Sequence, residues 1–132
     1  MATVKRFEDL EVWQLARYQS NAFDWLVINT SLGKDFALRD QMSRSSGSVM
    51  DCIAEGFERS GNKELKNFLL IAKGSNGEFR AQLYRCVNRS HIDKEKFQEL
   101  YDNNIMIGNK LMSFVNYLQQ TDLKGHRYKS NE

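Results

Sequence analysis

The sequence predicts an all-α fold, an antiparallel up-down-up-down four-helix bundle, and three observations carry that prediction. No proline interrupts the 132 residues. Apolar residues recur at intervals of three and four rather than in the alternation of a strand. The stretches that show this period are joined by short Gly-, Ser- and Asn-bearing breaks, which suit antiparallel neighbours. Hydrophobic residues make up 41% and aromatics 11%, enough for one packed core at this length, while 27% charged residues give a solvated surface. One domain is expected over residues 1–121, with a flexible basic tail over 122–132.

The first segment runs from about Phe7 to Ile28, with Leu10, Trp13, Ala16, Phe23 and Val27 on one side and Glu11, Arg17 and Asp24 elsewhere, and stops near NTSLGK. The second starts around Asp35 and carries Leu38, Met42, Val49, Ile53 and Phe57 until RSGN, where Gly61 reads as a C-terminal signal. The third opens at Asn62, read as an N-cap, and places Leu65, Phe68, Leu69, Ala72, Phe79, Leu83 and Cys86 on one stripe up to NRSHID. The fourth has Asp93 as cap and Ile92 with Phe97 as a hydrophobic staple. Its inner stripe is Phe97, Leu100, Asn104, Ile107, Leu111, Phe114 and Leu118. Beyond Thr121 the run DLKGHRYKSNE has no apolar period and is expected to fray.

The stretch SRSSGSVMDCIAEGFERSG, Ser43 to Gly61, keeps a helical period yet contains glycines and serines that helices disfavour. If the second and third helices form a hairpin turning at Ser60 to Asn62, residues whose numbers total roughly 122 face each other, given equal rise. Gly47 and Ser48 then lie opposite Gly74 and Ser75, and Arg44 falls near Glu78. Small residues on both sides predict a close helix crossing with serine hydroxyls bonding to carbonyls or across. Two readings of this place stay open, a packing device and a polar niche for a ligand or partner. Neither SRSSGS nor KGSNG matches a phosphate-binding loop.

Catalytic chemistry finds little support. His91 and His126 lie in a loop and in the tail, so a di-iron bundle, which needs Glu-x-x-His on two helices, is excluded. Cys52 and Cys86 lack CxxC or Cys/His spacing and read as small buried hydrophobes in a reducing compartment. No catalytic residue, metal site or cofactor is expected. The N-terminus MATVKRFEDLEVW has no apolar run of signal-peptide type, and no stretch is long enough to span a bilayer, so the expected location is cytoplasmic with no membrane partner. Net charge is only +2, which leaves nucleic-acid binding to local clustering. Lys63, Lys66, Lys73 and Arg80 recur at three and seven along the third segment, Arg85 and Arg89 continue near its end, and the tail adds Lys124, Arg127 and Lys129. Such a stripe suits salt-dependent phosphate contact.

FEDLEVW, QMSRSSGSVMDCIAEGFERS and FLLIAKGSNGEFRAQL resemble, in order and spacing, the four-helix-bundle proteins encoded by intervening sequences in bacterial 23S rRNA genes. The resemblance covers roughly Phe7 to Leu118. Its most specific parts are Phe7 to Trp13, Ala54-Glu55-Gly56 with Arg59, and Ala72, Gly74-Ser75 and Glu78. The chain departs from the family at Cys52-Ile53, where Asn-Ile is common, and at SLGKDF, where an aromatic-proline pair is common. The resemblance implies a homopentameric ring. It extends to the accessory variability determinant of diversity-generating retroelements, similar in fold, which binds a reverse transcriptase and nucleic acid. The partners it implies are therefore further copies of the chain, RNA or DNA, and a reverse transcriptase. On this footing Glu55 and Arg59, spaced as an i,i+4 pair, are either a cross-subunit contact or a solvated intrahelical pair, and Trp13 fills either the core or a subunit interface. Two functions follow: a non-enzymatic homo-oligomer that binds RNA or a ribonucleoprotein through its basic residues, and a protein-interaction scaffold without nucleic-acid binding.

Overall fold

A computed structural model describes the backbone of residues 3–130 and the side chains of residues 3–121. Four helices account for nearly all of it: α1 (Glu11–Asn29), α2 (Phe36–Glu58), α3 (Asn62–Asn88) and α4 (Lys94–Ser130), and no strand occurs among the described residues. The first segment is shorter than its apolar period suggests. Phe7–Asp9 form a separate 3-10 turn, and Leu10 is extended before α1 begins. A second 3-10 turn, Ser31–Lys34, joins α1 to α2, capped by the Thr30 hydroxyl, which accepts from the Leu32 amide at 3.2 Å.

The turn between α2 and α3 corrects one expectation. Asn62 is the first helical residue, and the capping position belongs to Gly61, whose φ of +112° is one that residues with a Cβ rarely adopt. Asp93 does cap α4, its Oδ1 accepting from the Lys96 amide at 2.7 Å. Between α3 and α4 the chain reverses through Ser90, which takes a left-handed φ of 61°, while the His91 amide donates back to the Cys86 carbonyl at 3.0 Å. α4 continues to Ser130, past Leu118, the last buried apolar residue among the described side chains. A helix once nucleated extends at small cost per residue, so apolar period is not needed for its last turns. The side chains of the basic tail expected over 122–132 lie outside the described residues.

Each helix packs on two others, α1 and α3 each touching both α2 and α4. Contacts between α2 and α3 run from Met42 with Cys86, through Ser48 with Ser75, to Gly56 with Phe68, so the number rises on one helix as it falls on the other. α3 and α4 show the same in Asn76 with Asn104 and Tyr84 with Phe97, as do α1 and α4 in Glu11 with Lys110 and Trp25 with Lys96.

The core splits into two apolar clusters. One centres on Val49, Ile53, Leu69, Ile107 and Leu111, the other on Phe23, Leu38, Met42, Phe79 and Leu83. A polar layer formed by Gln19, Asn76 and Asn104, each at most 1% exposed, lies on the same inner stripes between them. Asn104 Nδ2 donates to Gln19 Oε1 at 2.8 Å, Gln19 Nε2 donates to Asn76 Oδ1 at 3.1 Å, and Asn76 Nδ2 donates to the Asn104 carbonyl at 3.0 Å. All three amides are thereby satisfied without water, as burial of such groups demands.

Candidate functional site

The residues singled out by sequence sort onto three parts of the bundle. The first is the seam between α2 and α3. Ser48 and Ser75 face each other with their hydroxyls 2.9 Å apart, the register the hairpin predicts. One turn away Ser45 donates to Gln82 Oε1 at 2.6 Å, and Gln82 donates on to Glu78 at 3.3 Å. Glu78 therefore meets Gln82 rather than Arg44, which is exposed and forms no ion pair among the described residues.

Close crossing is not what Gly47, Gly74 or Gly77 provides. A Cβ built on Gly47, Gly74 or Gly77 meets nothing within 4 Å, so the expected tight contact at Gly47 and Gly74 is overturned. Gly47 lies on the outer side of the seam, where α2 leaves a shallow hollow of about 390 Å³ lined by Ser43, Arg44, Gly47, Ser48, Asp51 and Cys52, and Gly74 is exposed on α3. The close approach is at Gly56, where a Cβ would stand 2.7 Å from Phe68 Cβ and 3.2 Å from Leu65 Cδ1. Beside it Arg59 donates to Glu55 at 3.1 Å, reaches Glu64 at 3.7 Å and stands 5.1 Å from the Phe68 ring centre, and the paired Glu55 carboxylate raises the guanidinium pKa further. Trp13 is half-buried, meets Phe7 edge-on at 5.1 Å and packs against the core.

The second part is the basic stripe, which the helix divides. Steps of seven residues turn an α-helix by only about 20°, so Lys66, Lys73 and Arg80 stay nearly in line. Tyr84, four residues on, shows that this flank faces α4, because its ring contacts Phe97 at 4.9 Å and Tyr101 at 6.3 Å. Lys63 extends the flank at its start, and among the described residues none of these four cations forms an ion pair. Arg85 and Arg89 turn the other way, toward α2, where Arg85 donates to Gln41 Oε1 at 2.7 Å and Arg89 to Asp35 Oδ2 at 2.8 Å. They are committed to the fold.

The third part was not legible in the sequence. His91, in the α3–α4 turn, meets Ser31 Oγ through Nδ1 at 2.6 Å and Asp35 Oδ2 through Nε2 at 2.9 Å. Hydrogen bonds from His91 first, then Arg89, hold the Asp35 carboxyl down at about 2. The order serine, imidazole, carboxylate is that of an activated nucleophile. However, the amides after Ser31 are spent: Leu32 donates to Thr30 Oγ1 and Gly33 to the Thr30 carbonyl. Without free donors beside the hydroxyl to stabilise an oxyanion, the cluster reads as a clasp between two loops. No local signal marks it, since Ser31 and Asp35 lie in one interhelix break and His91 in another.

Among the described residues no group of three His, Cys, Asp or Glu side chains could hold a metal ion, and no helix is long and apolar enough to cross a membrane. Cys52 and Cys86 are free thiols, and burial pushes Cys86 up to about 12, which leaves it an unreactive core residue.

Residues 8–113 match the family model described as 23S rRNA-intervening sequence protein. Among solved structures, the chain is similar to a protein of unknown function from the S23 ribosomal protein family of Bacteroides thetaiotaomicron. The two share 22% identity with a TM-score of 0.67, over 79% of this chain and 94% of the other. That likeness concerns the fold. No curated protein matches.

Proposed function

The chain belongs to the 23S rRNA-intervening sequence protein family, and from that premise we propose that it is a non-enzymatic, cytoplasmic, homopentameric bundle of up-down-up-down topology that binds RNA or a ribonucleoprotein. The topology is supported by the opposed numbering of contacts on α2/α3, α3/α4 and α1/α4. Self-association uses the outer α2/α3 seam, where Gly47 and Gly74 leave backbone bare, with Arg44 next to Gly47 and Glu55 and Arg59 about two to three turns farther along. Bare glycine surface lets a neighbouring helix approach closely.

The observation that carries RNA binding is the row Lys63, Lys66, Lys73 and Arg80, which the fold leaves without carboxylate partners among the described residues. Lys66 and Arg80 are half-buried along their stems, so their charged heads stand off an ordered surface. Each phosphate neutralised releases counterions, and repetition of a short row around a ring multiplies a weak contact. Fluorescence anisotropy with labelled RNA tests this. Binding is expected to weaken steeply between 50 and 200 mM salt, as multiple phosphate contacts require. Lys73→Glu should reduce both affinity and salt slope. Binding indifferent to salt and to Lys73→Glu would instead leave a protein-interaction scaffold.

A further inference from the structure

Resting on that nucleic-acid reading, we propose that the α3/α4 face takes single-stranded polynucleotide, with an unpaired base stacked on Tyr84 and phosphates held by Lys66, Lys73 and Arg80. Tyr84 is 48% exposed despite its position in an aromatic cluster. Its ring packs against Phe97 at 4.9 Å with 59° between planes and against Tyr101 edge-on at 6.3 Å and 82°, and those two rings contact each other at 5.6 Å with 33° between planes. These contacts hold the half-exposed Tyr84 ring in place, so a base stacking on its free surface orders no loose side chain.

The cations continue the same flank. Arg80 precedes Tyr84 by one helical turn, and Lys73 and Lys66 follow at intervals of about 10 Å along the axis. Among the described residues no carboxylate of α4 forms an ion pair with this row. The ion pairs of α4, Lys96 with Glu99 and Lys110 with Glu11, sit on the flank toward α1, where Lys96 also covers Trp25. Asp102 accepts from Gln98 at 2.8 Å. The α3 side thus combines an aromatic platform with an uncompensated cationic row, the two components that bind single strands with little sequence preference. A duplex covers each base face with the next base pair and offers this platform nothing but phosphates.

The test uses the full chain with a labelled oligouridine and a duplex RNA of equal length. The wild type should prefer the single strand. Tyr84→Leu keeps apolar bulk but loses the π face, so it should weaken oligouridine binding by roughly 5- to 100-fold, the range for one stacked base. Duplex binding and the melting temperature should stay unchanged. Tyr84→Trp should restore single-strand binding. Equal affinity for both probes, with Tyr84→Leu neutral and Lys73→Glu weakening both, would overturn the stacking proposal while the nucleic-acid reading survived. Equal loss on both probes in Tyr84→Leu would also overturn it, since the ring would then be only a structural support. Failure of the wild type to bind either probe would remove the underlying reading as well.

Discussion

At the scale of single residues, glycines of one helix hairpin have opposite jobs. Gly56 is buried, and an added methyl would drive into Phe68 Cβ and Leu65. Gly56→Ala should therefore cost about 1–3 kcal/mol through overpacking, beyond any gain in helix propensity. Gly47→Ala meets open space and should stabilise the isolated chain by up to about 1 kcal/mol. Chemical denaturation of both variants checks the pair, and equal effects would contradict the packing difference. Asp35 gives a pH-dependent case. Its carboxyl titrates at about 2 instead of 3.8 because His91 and Arg89 donate to the charged form. A depressed carboxyl stabilises the fold above its unfolded value and loses that contribution as pH falls through the folded value. The melting-temperature gap between wild type and Asp35→Asn should hold from pH 7 to 5 and close between about pH 4 and 2. A gap that stayed constant to pH 2 would show that the clasp does not bind the charged carboxylate.

At the scale of helices, the polar layer fixes which turns of α1, α3 and α4 meet. Sliding α4 by one turn would leave Asn104 against Ala16 and Ala72 or against Phe23 and Phe79 and strand buried amides, each of which costs about 1–3 kcal/mol when unpaired. Two largely separate apolar clusters could tolerate a slip better than the amide triad can. Asn104→Ala removes the donor to Gln19 Oε1, the Asn76 carbonyl and Asn76 Oδ1, so it should lower stability by about 2–4 kcal/mol. Gln19→Ala added to it should cost clearly less than its effect alone, because the partner is already lost. Urea titrations of the two single variants and the double variant measure this coupling, and strict additivity would mean the triad does not act as a unit.

At the scale of the whole molecule, the fold leaves two contrasting faces around α3. The α2 side has bare glycine backbone and its arginines Arg59, Arg85 and Arg89 already engaged, whereas the α4 side has cations and Tyr84 without partners of opposite charge among the described residues. Under the proposed function, that division gives a subunit contact and a polynucleotide contact separate faces. Light scattering should give about five times the 15.4 kDa chain mass. Gly74→Gln, at an exposed position where an added Cβ meets no atom within 4 Å, should keep the helical content and melting behaviour but reduce the mass toward one chain. Full assembly in that variant would place the subunit contact away from the α2/α3 seam.

By itself the sequence determined the four helices, their inner stripes and the Asp93 cap, because these rest on local period and on side chains that bond within one turn. It also placed Ser48 against Ser75, since equal rise on two antiparallel helices fixes that register once the turn is known. Asn104 lies on the inner stripe expected for the fourth helix, so one member of the polar layer was legible, but Gln19 and Asn76 were not, and its hydrogen bonds join residues 57 and 85 positions apart. Tertiary structure alone decided that Gly56 rather than Gly47 or Gly74 meets a neighbour, and that Arg85 and Arg89 leave the basic row. It also decided that Ser31, Asp35 and His91 come together. Spacing along a helix says which side chains share a face, but which face meets a partner, and which charge finds its counter-charge, is settled only when the helices pack.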